Sequence, residues 1–532
     1  MFDGHRPAHK RLHHLRDSAS RPQGVTMATV AEAKPGSHYI GGDWQKPRGE
    51  TFESRSPARL DEVIGRFPQG TAEDAAKAIE SARKAYPAWR RTSRIHRAEL
   101  FDSLAQIVKR ETDSLAQLMA RECGKVITEC RAEVVEGLHM IQYVFGTGRM
   151  PIGGIVASEI PDKDAFVRRK PWGVVAVITP WNFPFAVPLW MLGPSLLEGN
   201  TAIFKPSEDT PAIGQRLVEL FIEAGFPPGV INLLHGEAQA GEALVRSPEV
   251  NVVLFTGSYE VGRRIQQLSA DHFDRIVACE MGSKSAVIVC DDARMDLAVT
   301  SSILSAYKTS GQRCVSGSRI LVAESIVDQF TSKFVDMAQR LRIGNPLDAS
   351  NFTGPLIHAA AVEKVERYND LAKKEGGEVL LPGGRYTDPE RSRGSYLSPF
   401  AYRVQHKPGS RAIREEVFGP HVALIPFKSI EDAARIYNDT EYGLSLAVIT
   451  EDYRKMRYFR DECEYGMGYV NLPCIGAEVH LPFGGVKKSG NGHPSAAGLV
   501  ETVTHKTAWT VNHGLEVKMA QGLTADVGGA KK

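Results

Sequence analysis

A chain of 532 residues is too long for one core of ordinary size, so two or more domains are expected. Apolar residues at 42% and charged residues at 24% exclude a disordered or fibrous chain and fit a folded globular one. A net charge of +2 supplies no field for nucleic acid or an anionic membrane surface, and neither is expected as a partner.

Residues 1–26 hold Arg6, Lys10, Arg11, Arg16 and Arg21 with four histidines and no apolar central segment, which excludes a secretory signal. The stretch faintly resembles an organellar transit peptide, but Asp3 and Asp17 count against that. A disordered basic tail over 1–35, or a true start at Met27, explains it better. From Thr71 to about Tyr143 apolar residues recur three and four apart (Ala75, Ile79, Ala82; Leu100, Leu104, Ile107, Val108). That spacing predicts helices, placed ahead of the first strongly strand-like run. Gly153 to Arg169 reads as an extended, partly exposed segment. Gly173 to Pro194 is apolar enough to raise the question of a membrane span. Pro180, Pro184, Pro188 and Asn182 would break such a helix, so a strand, a turn and a helix start are expected instead.

Beyond Lys170 short β-branched runs alternate with helical stretches. Val174 to Ile178 precedes a helix from about Pro188, and Thr201 to Phe204 precedes one from Pro211. Val230 to Leu234 precedes a helix from Gln239, and Val252 to Phe255 one from Glu260. Apolar strands each followed by a crossover helix predict a parallel α/β sheet of dinucleotide-binding type. A second series begins at Ser285 to Val289, with strands near Ile320 to Val322, Val422 to Pro426 and Leu446 to Thr450. Helices near Leu297 to Lys308 and Ile326 to Leu341 belong to it, making a second α/β domain. The Gly-, Ala- and Lys-rich end from His513 reads as a tail.

Seven cysteines include no CxxC pair and no histidine pair spaced for zinc, so no metal is expected. Sparse thiols point to a reducing, cytoplasmic setting, with each thiol buried or reactive. No GxGxxG fingerprint follows any strand that can be placed. After Val252 to Phe255 comes Thr256-Gly257-Ser258, a glycine turn opening on a helix N-terminus, where backbone N–H groups can hold a pyrophosphate.

Further clusters accompany that turn. Thr179-Pro180-Trp181-Asn182-Phe183-Pro184 and Lys205-Pro206-Ser207-Glu208 end successive strands. Glu280-Met281-Gly282, Gly311-Gln312-Arg313-Cys314, Glu416-Val417-Phe418-Gly419-Pro420 and Pro482-Phe483-Gly484-Gly485 follow in order. In this order and spacing they resemble the aldehyde dehydrogenase superfamily, from about Tyr39 to Trp509. The resemblance implies an α/β fold with a Rossmann-like NAD-binding domain (36–149 and 171–282) and an α/β catalytic domain (283–496). It also implies a small β oligomerisation arm (150–170 and 497–512), and with it a homodimer or homotetramer. Residues 513–532 would be a tail.

The same resemblance implies the hydrolytic branch: NAD-dependent oxidation of a small-molecule aldehyde to the acid. Cys314 would be the nucleophile, its thiolate favoured by Arg313. The Asn182 amide and the Cys314 backbone N–H would hold the tetrahedral oxygen. Glu280, in an apolar flank that raises a carboxyl pKa, would activate the water that hydrolyses the thioester. Lys205 and Glu208 would hold the adenosine ribose, the carboxylate repelling a 2′-phosphate and so favouring NAD over NADP. Trp181, Ser207, Thr256, Gly257, Ser258 and Gly282 would line the cofactor's path, with Glu416 and Phe418 at its nicotinamide end.

Three positions depart from many relatives: Ser283 stands for a second glycine, and Met191 and Pro494 stand for a Lys and a Glu thought to relay protons from the general base. Deacylation would then rest on Glu280 and ordered water. Alignment to the family's tunnel brings in Glu136, Phe183, Trp190, Lys308, Arg313, Ile475 and Ala477. Arg313 and Lys308 favour a substrate with a distal negative group, Glu136 opposes it, and the aromatic pair suits an uncharged aldehyde equally.

Overall fold

The computed structural model describes residues 35–519 and 521. The tail expected over 1–35 therefore lies outside the described residues except for Pro35, as does most of the tail after His513. Two sheets organise the rest. In the first, Ile231–Leu233, Thr201–Lys205, Val174–Ile178, Val252–Thr256 and Ile276–Glu280 run parallel in that spatial order. The second places Leu397–Arg403, His421–Phe427, Arg319–Ala323, Ala286–Val289, Ser445–Ile449 and Met467–Val470 in parallel order. The antiparallel Glu378–Arg385 closes one edge of this second sheet.

Alternation of side chains explains why both sheets are layered. Val175, Val177, Ala202, Phe204, Val252 and Leu254 face one core of the first sheet, while Val174, Ala176, Ile203, Val253 and Phe255 face another. Helix Ala186–Leu197 is buried along its whole length within the first of these cores. A helix apolar all round belongs in a protein interior or a bilayer. Among the described residues no helix is long and apolar enough to cross a membrane.

The structure adds strands that the sequence pattern did not give. Four lie ahead of Thr71: His38–Ile40, Asp43–Gln45, Thr51–Ser56 and Arg59–Pro68. The first two join an edge of the first sheet through Tyr39 opposite Leu233, and the other two form a hairpin. Gly490–Asn491 pairs with Cys279 and Glu280, so a segment within 283–496 completes the first sheet. The helices begin where chemistry allows. Thr71 and Asp74 form a reciprocal capping box for Ala72–Trp89. Pro211 opens Pro211–Glu223, whose Ala212 and Ile213 N–H groups donate to the Glu122 carboxylate at 2.8 and 2.9 Å.

The arms form a three-stranded antiparallel sheet in which Thr504–Asn512 pairs with Lys163–Pro171, and that with Gly153–Val156. This pairing lies within one chain, whereas the family resemblance has the arms pairing across subunits. Both outer strands keep an open edge and exposed apolar residues, Ile155, Val156 and Trp509.

Candidate active site

The expected site residues collect where the first sheet's strands end. Val174–Ile178 runs into the turn holding Asn182, Val252–Thr256 into Gly257 and Ser258, and Ile276–Glu280 ends on Glu280 itself. Carboxyl ends of parallel strands are where open α/β sheets leave a crevice. A cleft of about 230 Å³ opens there, lined by Trp181, Asn182, Thr256, Gly257, Ser258, Glu280, Gly282, Cys314, Glu416 and Phe418. Glu136, Phe183, Trp190, Arg313 and Ala477 line it as well.

Three expected cofactor residues sit beyond this cavity. Lys205 and Ser207 are buried at the next strand end, and the Lys205 ammonium lies 3.6 Å from the partly exposed Glu208 carboxylate. Burial lowers the Lys205 pKa, against the pull of Glu208. Two expected tunnel residues are displaced. Lys308 donates to the Phe352 carbonyl at 2.9 Å with its ammonium 4.3 Å from that ring's centre, so it is turned from the cleft. Ile475 packs into the core beside the wall, which its neighbours Gly476 and Ala477 form instead.

The Cys314 thiol is partly exposed, and its pKa is raised. Burial is the main cause, followed by the negative charges of Glu280 and Glu416; the Val315 N–H and Arg313 pull the other way more weakly. Arg313 thus acts in the expected direction, toward the thiolate, but as the weakest of these influences, because its charge is shared. Its Nη2 meets Glu129 Oε1 at 2.8 Å and its Nε donates to Thr309 Oγ1 at 2.8 Å. Thr309 in turn donates to the same Glu129 oxygen at 2.7 Å.

Glu280 is 1% exposed, and neither carboxyl oxygen has a hydrogen-bond partner. Burial raises its pKa well above the ordinary carboxylate value. The relay positions carry no proton-exchanging side chain: Met191 and Pro494 are both buried. Ser495, next to Pro494, lines the cleft and was not anticipated, and neither was Lys364.

Asn182 is held from two directions. Its side-chain Nδ2 donates to the Gln312 carbonyl at 2.9 Å, leaving a second amide hydrogen for a ligand. Its backbone carbonyl accepts from Lys125 Nζ at 2.9 Å. Lys125 pairs with Glu133, whose other oxygen accepts from the Phe185 and Ala186 N–H groups at 2.9 and 3.1 Å. Glu129, Glu133 and Glu136 all belong to helix Ile127–Thr147. Their spacing of four and three puts them on one face, serving in turn the Cys314 loop, the Asn182 turn and the cleft wall. Only Glu136 was expected. The signal available was three carboxylates at helical spacing on a helix otherwise buried through Ile127, Val134, Met140 and Ile141.

Glycines and strain shape the rest. A Cβ on Gly282 would lie 2.1 Å from Glu416 Oε2, so only glycine lets that carboxylate approach. Ser283 N–H donates to Glu416 Oε1 at 2.7 Å. Thr309, Ser310 and Gly311 are consecutive residues with φ of 54°, 53° and 71°, and Phe418 has 61°. Left-handed backbone at a β-branched residue is strained, and here it lies in the loop leading to Cys314, with Gln312 and Arg313 between. Neighbours hold it: Ser310 N–H and Oγ both reach Thr353 Oγ1, at 2.7 and 2.9 Å.

Could this cleft seat a dinucleotide? Ser258 caps helix Tyr259–Ser269 beside the cleft, so free N–H groups face it. Thr256 Oγ1 is buried there without a partner. These observations fit the group that the sequence implied.

A family model described as the aldehyde dehydrogenase family matches residues 44–508. An α-ketoglutaric semialdehyde dehydrogenase of Bacillus subtilis is 34% identical over 465 residues, 87% of this chain and 95% of that one. A malonate-semialdehyde dehydrogenase of Lacticaseibacillus casei is 32% identical, over 91% of this chain and 98% of its own. The crystal structure of betaine aldehyde dehydrogenase from Staphylococcus aureus in complex with NAD+ superposes with a TM-score of 0.87 at 32% identity. That match covers 92% of this chain and 97% of the other. The chain belongs to the aldehyde dehydrogenase family.

Proposed function

We propose that the chain oxidises an aldehyde bearing a distal carboxylate to the corresponding acid, with NAD as hydride acceptor, through a thioester on Cys314. In this reading residues 36–149 with 171–282 form the cofactor domain and 283–496 the catalytic domain. The arms at 150–170 and 497–512 join copies into a homo-oligomer in the cytoplasm.

The Cys314 sulfur bonds to the aldehyde carbon, and the developing oxyanion takes hydrogen bonds from Asn182 Nδ2 and the Cys314 N–H. Bound NAD supplies the acceptor for the hydride that leaves the thiohemiacetal carbon, which becomes a thioester. Lys205, Glu208 and Glu416 hold its riboses, and Ser258 and Trp181 lie along its phosphates. Glu280 then takes a proton from water, the hydroxide adds to the thioester carbonyl, and the Cys314 thiol leaves as the acid forms. A buried carboxyl whose pKa is raised is suited to that task. Burial raises the Cys314 pKa, so the thiol gives up its proton to solvent in the cleft before the sulfur attacks.

The substrate class rests on Arg313. It forms part of the cleft wall beside Cys314, fixed by Glu129 and Thr309 through Nη2 and Nε, and makes no hydrogen bond through Nη1 among the described residues. Trp190 adds a buried indole N–H without an acceptor in the same wall. A second reading, a distal cation, is favoured by Glu136 together with the neutralisation of Arg313 by Glu129. The test compares succinic semialdehyde with butanal. Under the first reading kcat/KM is higher for the semialdehyde by about tenfold or more, and Arg313→Met removes the difference. A preference for butanal that Arg313→Met leaves unchanged overturns it.

A further inference from the structure

Thr210 stands at the start of helix Pro211–Glu223, where a threonine hydroxyl ordinarily caps the first free N–H groups. Here it does not: Thr210 makes no side-chain cap, and its Oγ1 is buried without a partner. The capping comes from another helix. Glu122, near the end of Thr112–Cys123 and 0% exposed, accepts the Ala212 N–H on Oε1 at 2.8 Å and the Ile213 N–H on Oε2 at 2.9 Å. Ser54 of strand Thr51–Ser56 gives Oε1 a third donor at 2.9 Å. The carboxylate thus ties three elements together, and it sits at the positive end of a helix dipole, where donors compensate its burial.

The first turn of that helix abuts the Lys205–Glu208 loop. A Cβ on Gly214 would lie 2.6 Å from Pro206 Cβ, so the helix packs directly on the residue between Lys205 and Ser207. Along the chain the loop is joined to the helix as well: Thr210 N–H donates to the Ser207 carbonyl at 3.2 Å, and Gly214 N–H to the Thr210 carbonyl at 3.4 Å. Lys205 Nζ donates to the Pro206 carbonyl at 3.1 Å and lies 3.6 Å from Glu208. A shift of the helix start therefore shifts Pro206, and with it the Lys205–Glu208 pair.

We infer that Glu122 is a positioning residue for the cofactor, capping helix Pro211–Glu223 from outside and so fixing the Lys205–Glu208 loop where it meets the adenosine ribose and excludes a 2′-phosphate. The inference rests on the proposed reading of that loop as the ribose site. Glu122 is not among the residues lining the cleft, and its effect passes through the helix start and the Gly214–Pro206 contact.

The experiment is titration of the full-length protein with NADH and with NADPH, followed by nicotinamide fluorescence. Wild type binds NADH more tightly than NADPH. In Glu122→Ala the Kd for NADH rises about threefold to tenfold, the size of one net hydrogen bond, while that for NADPH changes less, so the preference narrows. A fold merely weakened elsewhere would melt lower and still bind the two cofactors in the wild-type ratio. Glu122→Gln keeps the shape and one acceptor, shifts the ratio less in the same direction, and decides the matter should Glu122→Ala not fold. A wild-type ratio in the variant that folds, with Glu208→Gln narrowing it, overturns the inference and leaves the ribose assignment standing. A ratio that Glu208→Gln also leaves unchanged overturns the assignment, and the inference with it.

Discussion

Glu133 and Glu280 are buried to the same degree, at 2% and 1% exposed, and are held in opposite ways. Around the Asn182 turn the buried charges are engaged: Lys125 pairs with Glu133, and both reach the backbone of residues 182–186. At the Glu280 strand end the carboxyl faces the cleft with neither oxygen bonded. Burial of an ionised group is tolerated where partners compensate it, and otherwise the group takes up a proton. The engaged carboxylate serves to place something else, whereas the unengaged one is free to exchange a proton. On the proposed mechanism, positioning and chemistry then fall to different side chains.

That contrast is sharpest at Glu280. Glu280→Gln removes the exchangeable proton and lowers steady-state turnover by roughly 10²- to 10⁴-fold, with an initial burst of NADH retained because acylation does not use this group. Steady-state and stopped-flow absorbance measure both. The pH profile follows from the raised pKa: as a base Glu280 must be ionised, so turnover climbs as pH rises through that pKa, and the climb disappears in Glu280→Gln. Stability has the opposite sign. A carboxyl with a raised folded pKa stabilises fully below its unfolded value and loses that contribution as pH rises through the folded one. The Gln variant is therefore expected to melt higher than wild type on the alkaline side.

Lys125→Met tests the engaged side. Leaving Glu133 buried without its cation costs about 3–5 kcal/mol, read as a lower melting temperature or denaturant midpoint. Lys125→Met with Glu133→Gln removes both charges yet keeps an acceptor for the Phe185 and Ala186 N–H groups, and most of the stability returns. Turnover does not return with it. The Asn182 carbonyl has lost its tether, and a turn displaced by an ångström costs about tenfold to a hundredfold in kcat. A double variant that is both stable and fully active would mean that the pair only supports the fold.

The two regions also differ in how legible they were. Val174–Ile178, Thr201–Lys205 and Val252–Thr256 are buried on both faces and read as unbroken apolar runs, so their strands and following helices emerge from the pattern alone. Cys314, Glu280 and Asn182 stood out by motif. The strands before Thr71 did not, because they are short or half-exposed: Arg59–Pro68 carries four charges, and Tyr39 finds its partner Leu233 only through the fold. Lys125 and Glu133 look like surface charges until the 182–186 turn covers them. Lys308, one turn from Arg313 along the chain, lost its expected place because the left-handed residues Thr309 to Gly311 redirect the backbone between them.

The smallest expected effect concerns Glu136, which lies between the two cases: partly exposed in the cleft wall, with its pKa pushed up to about 7 by burial and then by the nearby Glu133 charge. Below pH 7 it is neutral and does not oppose a carboxylate-bearing substrate; above it, the ionised form does. Two like charges about 8 Å apart at an effective dielectric of ~20 repel by roughly 2 kcal/mol, and solvent in an open cleft reduces this to well under half. The KM for succinic semialdehyde should therefore rise about two- to fourfold between pH 6 and 8, that for butanal should stay flat, and Glu136→Gln should abolish the rise. A KM for the semialdehyde that falls across this range would mean that Glu136 does not face the distal end of the substrate. If Glu136→Gln also weakened turnover of a cationic aldehyde such as betaine aldehyde far more than of butanal, the distal-cation reading would take its place.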